Sequence, residues 1–152
     1  MNLSLKLKET VYTYCADFIQ KRIDQLRESI SRVNEAIENE SKSSAGDKFE
    51  TSRAMAQNEK EIISAQLAEA LRIKNVLMQL SVGAKKSVCS GALVQTEKGI
   101  FFISISTPKF DFKGSLIYCI APNAPLARAM MSKVKGDSFQ FNRTTQNIIE
   151  II

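Results

Sequence analysis

The chain has 152 residues, with 21 Lys/Arg against 16 Asp/Glu, three Cys and no His. Without His it excludes the usual zinc-finger ligand sets and any Ser-His or Cys-His catalytic pair. The widely spaced, odd set Cys15, Cys89 and Cys119 argues against a disulfide framework and reads as small core hydrophobes in a reducing compartment.

The net charge of +5 is unevenly placed: residues 1–83 carry 12 Lys/Arg and 12 Asp/Glu, residues 84–152 carry 9 and 4. The basic C-terminal part suits an acidic partner surface or a nucleic-acid phosphate backbone, and is also ordinary for a soluble protein. No apolar run approaches the roughly 18 residues that span a bilayer, and the start MNLSLKLKE lacks a signal-peptide pattern. A cytoplasmic protein without a membrane partner is the expectation.

In chain order, residues 1–9 form a lead-in, and a first helix is predicted from about Glu9 to Glu40. Tyr12, Ala16, Ile19, Ile23, Leu26, Ile30, Val33 and Ile37 recur at steps of four and three, the seam of a coiled coil. Ser41 to Glu50, SKSSAGDKFE, is turn chemistry with Gly46 at the apex. A second helix is predicted from Asp47 or Lys48 to about Leu80, with Ile62/Ile63, Leu67, Ala70, Ile73, Leu77 and Leu80 as its stripe. Folding back at Gly46 sets Ile30 near Ile62, Ile23 near Ala70 and Tyr12 near Leu80, in an arm on the order of 50 Å long.

Between Ile37 and Ile62 the seam fails, leaving only Ala45, Phe49, Ala54, Met55 and Ala56 as apolar exceptions. A buried Ile or Leu contributes about 1.5–3 kcal/mol, so the last turns gain little from packing. The apex therefore extends past its own packing, as an element that reaches for a partner does. There Asp47 and Glu50 are spaced so that both carboxylates point the same way. The same Asp-x-x-Glu is also a helix capping box, which requires no metal. Lys42, Lys48 and Arg53 flank the pair, either screening it, touching RNA phosphate or simply solvated.

Ser81-Val82-Gly83 marks a boundary, with Gly83 suited to the left-handed conformation past a helix end. The predicted domains are 1–82, a coiled-coil hairpin with its acidic tip near 46–50, and 83–152, a small sheet domain. Strands are predicted at Val88–Thr96 and Ile100–Ser106 around the turn Glu97-Lys98-Gly99. A loop containing Pro108, Asp111 and Gly114 leads to a strand at Leu116–Ala121. A short helix follows at Ala124–Ser132 with Asn123 as N-cap, then strands at Ser138–Asn142 and Gln146–Ile151. The fold class is α+β: an antiparallel helical hairpin, then an antiparallel sheet with one short helix.

Gly46-Asp47-Lys48-Phe49-Glu50 matches the G-D-x-x-E tip of the Gre transcript-cleavage factors of bacterial RNA polymerase, and the whole layout resembles theirs. The segment Ala124 to Asp137 resembles their S-P-[IL]-G-[KR]-A-L-[IL]-G-K-x-x-G-D, with Pro125, Leu126, Arg128, Ala129, Lys133, Gly136 and Asp137 in agreement. Ala124, Ala127 and Ser132 replace the usual Ser, Gly and Gly, and Thr51-Ser52-Arg53-Ala54 stands where the family has Asn-Ala-x-Tyr.

The resemblance implies an FKBP-like C-terminal domain that docks on the rim of the polymerase secondary channel, and Arg128, Lys133 and Lys135 are candidates for that surface. It implies that Asp47 and Glu50 reach the polymerase active site and the nascent RNA 3′ end. There they would help hold a Mg²⁺ shared with the polymerase and stimulate cleavage of backtracked RNA. The chain itself would be no enzyme and would bind no cofactor alone. The other reading is a channel regulator of the same fold without cleavage stimulation. A prolyl isomerase pocket would have to use Phe101, Phe102, Phe110, Phe112, Tyr118, Phe139 and Phe141, whose spacing along strands is that of a core.

Overall fold

The structure, a computed structural model, describes residues 1–41 and 46–152, with the side chains of residues 40–49 outside the described set. Two helices open the chain, α1 (Leu5–Ser41) and α2 (Gly46–Met78). Helix α1 starts earlier than the expected Glu9 because Ser4 caps it: the Leu7 amide donates to Ser4 Oγ at 3.1 Å and the Lys8 amide to the Ser4 carbonyl at 3.0 Å. Helix α2 ends before the expected Leu80, on a 3.1 Å turn bond from the Leu80 amide to the Leu77 carbonyl. Gly83 is not left-handed; its carbonyl accepts from Lys8 Nζ at 2.7 Å instead.

By packing, the chain forms two compact units, one of Ile19–Asn75 and one that joins Met1–Phe18 to Val76–Ile152. The first turns of α1 thus group with the sheet, although in chain order they belong to the predicted 1–82.

In Ile19–Asn75 the helices run antiparallel. Lys74 Nζ donates to Gln20 Oε1 at 2.7 Å, and Val33 and Ala36 share a groove with Ala56 and Ile63. Ile19, Ile23, Leu26 and Val33 of α1 and Ala70 of α2 are buried. Ile62 is 61 % exposed, so Ile63 takes the seam position that the sequence left open between the two. Adjacent helical residues lie about 100° apart, and only one of them can face the partner helix.

The other unit carries β1 (Leu93–Thr96), β2 (Gly99–Ile103), β3 (Phe110–Phe112), β4 (Ser115–Ile120), α3 (Pro125–Met130), β5 (Ser138–Phe141) and β6 (Thr144–Ile151). They form one six-stranded sheet in the order β3-β4-β2-β1-β6-β5. The sheet is not wholly antiparallel, because β2 and β4 run parallel, with Ile100 opposite Ile117 and Phe102 opposite Cys119. That pairing needs a crossover, and the crossover contains β3, in a stretch the sequence reading treats as loop. Strand β1 begins at Leu93 rather than Val88, because Gly91 turns the chain at φ 87 and a Cβ there would lie 2.6 Å from the Ser81 carbonyl oxygen.

Both faces of the sheet are covered. Phe101, Ile103, Phe139 and Ile148 pack with Ala127 and Met130 of α3. On the other face α1 supplies Leu7, Val11 and Cys15, all buried, and Cys15 Sγ lies 3.8 Å from Ser104 Oγ. Burial on both sides explains why β2 reads Gly-Ile-Phe-Phe-Ile without a polar alternation. The fully buried Lys8 donates from Nζ to the Gly83 carbonyl at 2.7 Å and to the Ile152 main-chain oxygen at 2.9 Å. Desolvation, then the nearby Lys85 charge, lowers its pKa to about 8.

Candidate functional site

Helix α2 is already helical at Gly46, so positions 47 and 50 lie within its opening turns. Glu50 is exposed; the side chain of Asp47, like those of Lys42 and Lys48, lies outside the described residues. Arg53 is exposed three residues beyond Glu50. Among the described residues, no position from Asn34 to Asn39 or from Glu50 to Glu69 is buried, whereas Ile19, Ile23 and Leu26 are. The helices thus continue well past the part of the unit that packs them.

A Mg²⁺ ion takes oxygen ligands and is held by one or two carboxylates from any one partner. Glu50 is a donor of that kind, free of competing burial. Among the described residues no three His, Cys, Asp or Glu come together.

The three predicted docking cations fall around the end of α3. Arg128 is exposed in the last turn of that helix, and its carbonyl accepts from the Met131 amide at 3.3 Å. Lys133 is half-buried and its carbonyl accepts from the Val88 amide at 2.8 Å. Lys135 is already engaged, its Nζ donating to Glu150 Oε2 at 2.6 Å, and that bond holds the Glu150 carboxyl below its usual range. The antiparallel bridge between Ser87 and Val134 brings residues 86 and 135 to neighbouring positions, which adds Lys86 to the cluster. Sequence spacing gives no hint of Lys86, because a single isolated bridge makes the pairing.

The N-cap of α3 is Ala124, without a side-chain cap bond, rather than Asn123. Its C-terminal end is closed by Ser132 in the left-handed conformation at φ 65, a place that glycine fills more easily.

Of the aromatic residues weighed for an isomerase pocket, Phe101, Phe102 and Phe139 are buried, and Tyr118 and Phe141 pack against the α3-side core. Phe110 instead stacks on Tyr14 of α1 with ring centroids 4.5 Å apart. The cysteines are also structural. Cys15 donates to the Cys119 sulfur and is buried, and both effects hold its thiol above the usual range, so it is a protonated core group and not a nucleophile. No helix among the described residues is long and apolar enough to cross a membrane.

No known family model and no curated protein matches this sequence. Among solved structures the chain is similar to the GreA factor homolog 1 (Gfh1) protein of Thermus thermophilus, at 14% identity and a TM-score of 0.37, over 90% of this chain and 94% of that one. A second structure of the transcription factor Gfh1 gives 15% identity and a TM-score of 0.35, over 90% and 92% of the two chains. Gfh1 of Thermus aquaticus gives 17% and 0.33, over 89% and 92%.

Proposed function

We propose that this chain is an accessory factor of bacterial RNA polymerase that enters the secondary channel and stimulates cleavage of backtracked nascent RNA. The observation that carries the reading is the mismatch between helix length and packing. Two helices of 37 and 33 residues run on beyond their buried contacts toward the Gly46-Asp47-Lys48-Phe49-Glu50 segment. The Ala124–Asp137 segment, folded around α3, supports it from a second place in the chain.

In this mechanism the chain's part is positional. The antiparallel helices hold Glu50 in solvent, and Glu50 and Asp47 would hold, with the polymerase, a shared Mg²⁺ through their carboxylate oxygens. A Mg²⁺ ion held there would supply Lewis-acid chemistry, making a water more acidic and offsetting charge on the phosphodiester. The same two carboxylates accept hydrogen bonds from that water and orient it toward the scissile bond. Arg128 and Lys133 face the channel rim, while Lys135 takes part only after exchanging Glu150 for a partner carboxylate.

A second reading rests on Thr51-Ser52-Arg53-Ala54, which departs from the family pattern directly after Glu50. A channel regulator without cleavage stimulation fits that departure. Halted, backtracked elongation complexes given Mg²⁺ and this protein separate the two. Shortening of the RNA 3′ end, slowed by about a hundredfold in Asp47→Ala and Glu50→Ala, supports cleavage. Unchanged RNA with binding retained establishes the regulator, and no association with polymerase rejects both.

A further inference from the structure

Between the start of α1 and the β3–β4 turn lies a cleft of about 240 Å³. Met1, Leu7 and Phe112 give it an apolar lining, and Ser4, Lys6 and Lys113 a polar one. Ser4 Oγ accepts from the Leu7 amide, which leaves its own proton free to donate. Lys6 and Lys113 are exposed, and Lys109 stands at the other end of β3. Among the described residues, none of these three lysines forms an ion pair. The nearby carboxylates are Glu9 and Asp111, and Asp111 Oδ1 is occupied by the Gly114 amide at 2.9 Å.

Two further observations bear on the same place. Strand β3 is at the sheet edge and pairs only with β4, so its outward amides and carbonyls are open to another strand. Lys113 also occupies a left-handed turn position at φ 52, followed by Gly114 at φ 82. Asn or Gly fits that two-residue turn without strain, and Lys does not. What Lys provides there is a cation, with Nζ 5.4 Å from the Phe112 ring centroid at the mouth of the cleft. Strain kept at a residue whose side chain overlooks a cleft points to binding.

We propose that this cleft and the β3 edge form a docking site for an acidic, extended segment of a partner protein. The segment adds to β3, lays an apolar side chain against Phe112 and Leu7, and sets its carboxylates against Lys6, Lys109 and Lys113. Main-chain pairing supplies affinity in such strand addition, and the cleft and cations supply selectivity. The site is independent of the α2 tip and stands whether or not the tip supports cleavage.

The test uses the full chain and a fluorescein-labelled decapeptide of alternating Glu and Leu, followed by anisotropy. Saturable binding is expected, weakened about tenfold by Lys6→Glu and by Lys113→Glu. The sharper variant is Lys113→Asn, which removes the cation but suits the turn: it should lose binding about tenfold with a thermal midpoint at or above that of the parent. Lys98→Glu, on the β1–β2 turn, should bind as the parent does. The proposal is overturned by absence of saturable binding, by undiminished binding in Lys113→Asn, or by an equal loss in Lys98→Glu, which would reduce the effect to net charge. It is also overturned if decauridylate RNA displaces the peptide more strongly than unlabelled peptide does, since the site would then belong to nucleic acid.

Discussion

A lysine ammonium that donates to the main-chain oxygens of Gly83 and Ile152 while fully buried has given up water for two main-chain acceptors. Its pKa falls from 10.5 to about 8, first because burial strips its hydration and then because the Lys85 charge lies nearby. The sign of the consequence follows from proton counting. Between about pH 8 and 10.5 the unfolded chain holds more of this proton than the folded one, so the Lys8 contribution to stability rises with pH across that window. Below it both states are protonated and the burial penalty is complete. The neutral amine still has two N–H groups, one for each main-chain oxygen. Urea unfolding of the parent and Lys8→Met should therefore diverge in the parent's favour by up to about 3 kcal/mol from pH 7 to 10.5; a pH-independent difference refutes the assignment. None of this is legible in the sequence, where Lys8 sits in LKLKE like a surface residue and its partners are 75 and 144 positions away.

The long helices were the legible elements, because a stripe of Ile and Leu at steps of four and three admits one period. Their fine placement was less so. The choice between Ile62 and Ile63 depends on the partner helix, and the exposed one was not distinguishable by hydrophobicity. Ile23→Ala should cost about 2–5 kcal/mol in chemical denaturation, since Ile23 is completely buried. Ile62→Ala, at a site 61 % exposed, should stay within about 0.5 kcal/mol.

Strand β3 escaped the reading because Pro108 and Gly114 bracket it and three residues are too few to show alternation. Helix α3 was found, but its ends were not, since neither Ala124 nor Ser132 carries the usual end signal. Both ends can be improved: Ala124→Ser supplies a missing cap oxygen, and Ser132→Gly removes a Cβ from a left-handed position. Each should add about 0.5–1 kcal/mol, read as a raised midpoint in thermal unfolding. A fall in either variant would mean that the observed helix ends are not those of the folded protein.

For the whole molecule, the charge count located the basic excess in the C-terminal part, yet it did not separate structural cations from available ones. Lys135 is paired with Glu150 and Lys8 is sealed inside, whereas among the described residues Lys6, Lys109 and Lys113 form no ion pair. The acidic pair of the tip was read from five consecutive residues, and in the proposed role its two carboxylates act only together with the polymerase. Purified chain in Mg²⁺ should accordingly leave RNA intact. Hydrolysis in the absence of polymerase that is lost in Asp47→Ala and Glu50→Ala would refute the accessory role.

The position of β6 has a consequence for biogenesis. This strand is synthesised after the other five, yet it lies between β1 and β5, and Leu93 and Ile152 exchange amide-to-carbonyl bonds of 2.9 Å. Translation therefore releases the residues of the helical pair long before the sheet can close. The nascent chain passes through a stage in which β1 has no partner on its β6 side, and that interval is when a ribosome-associated chaperone has something to hold.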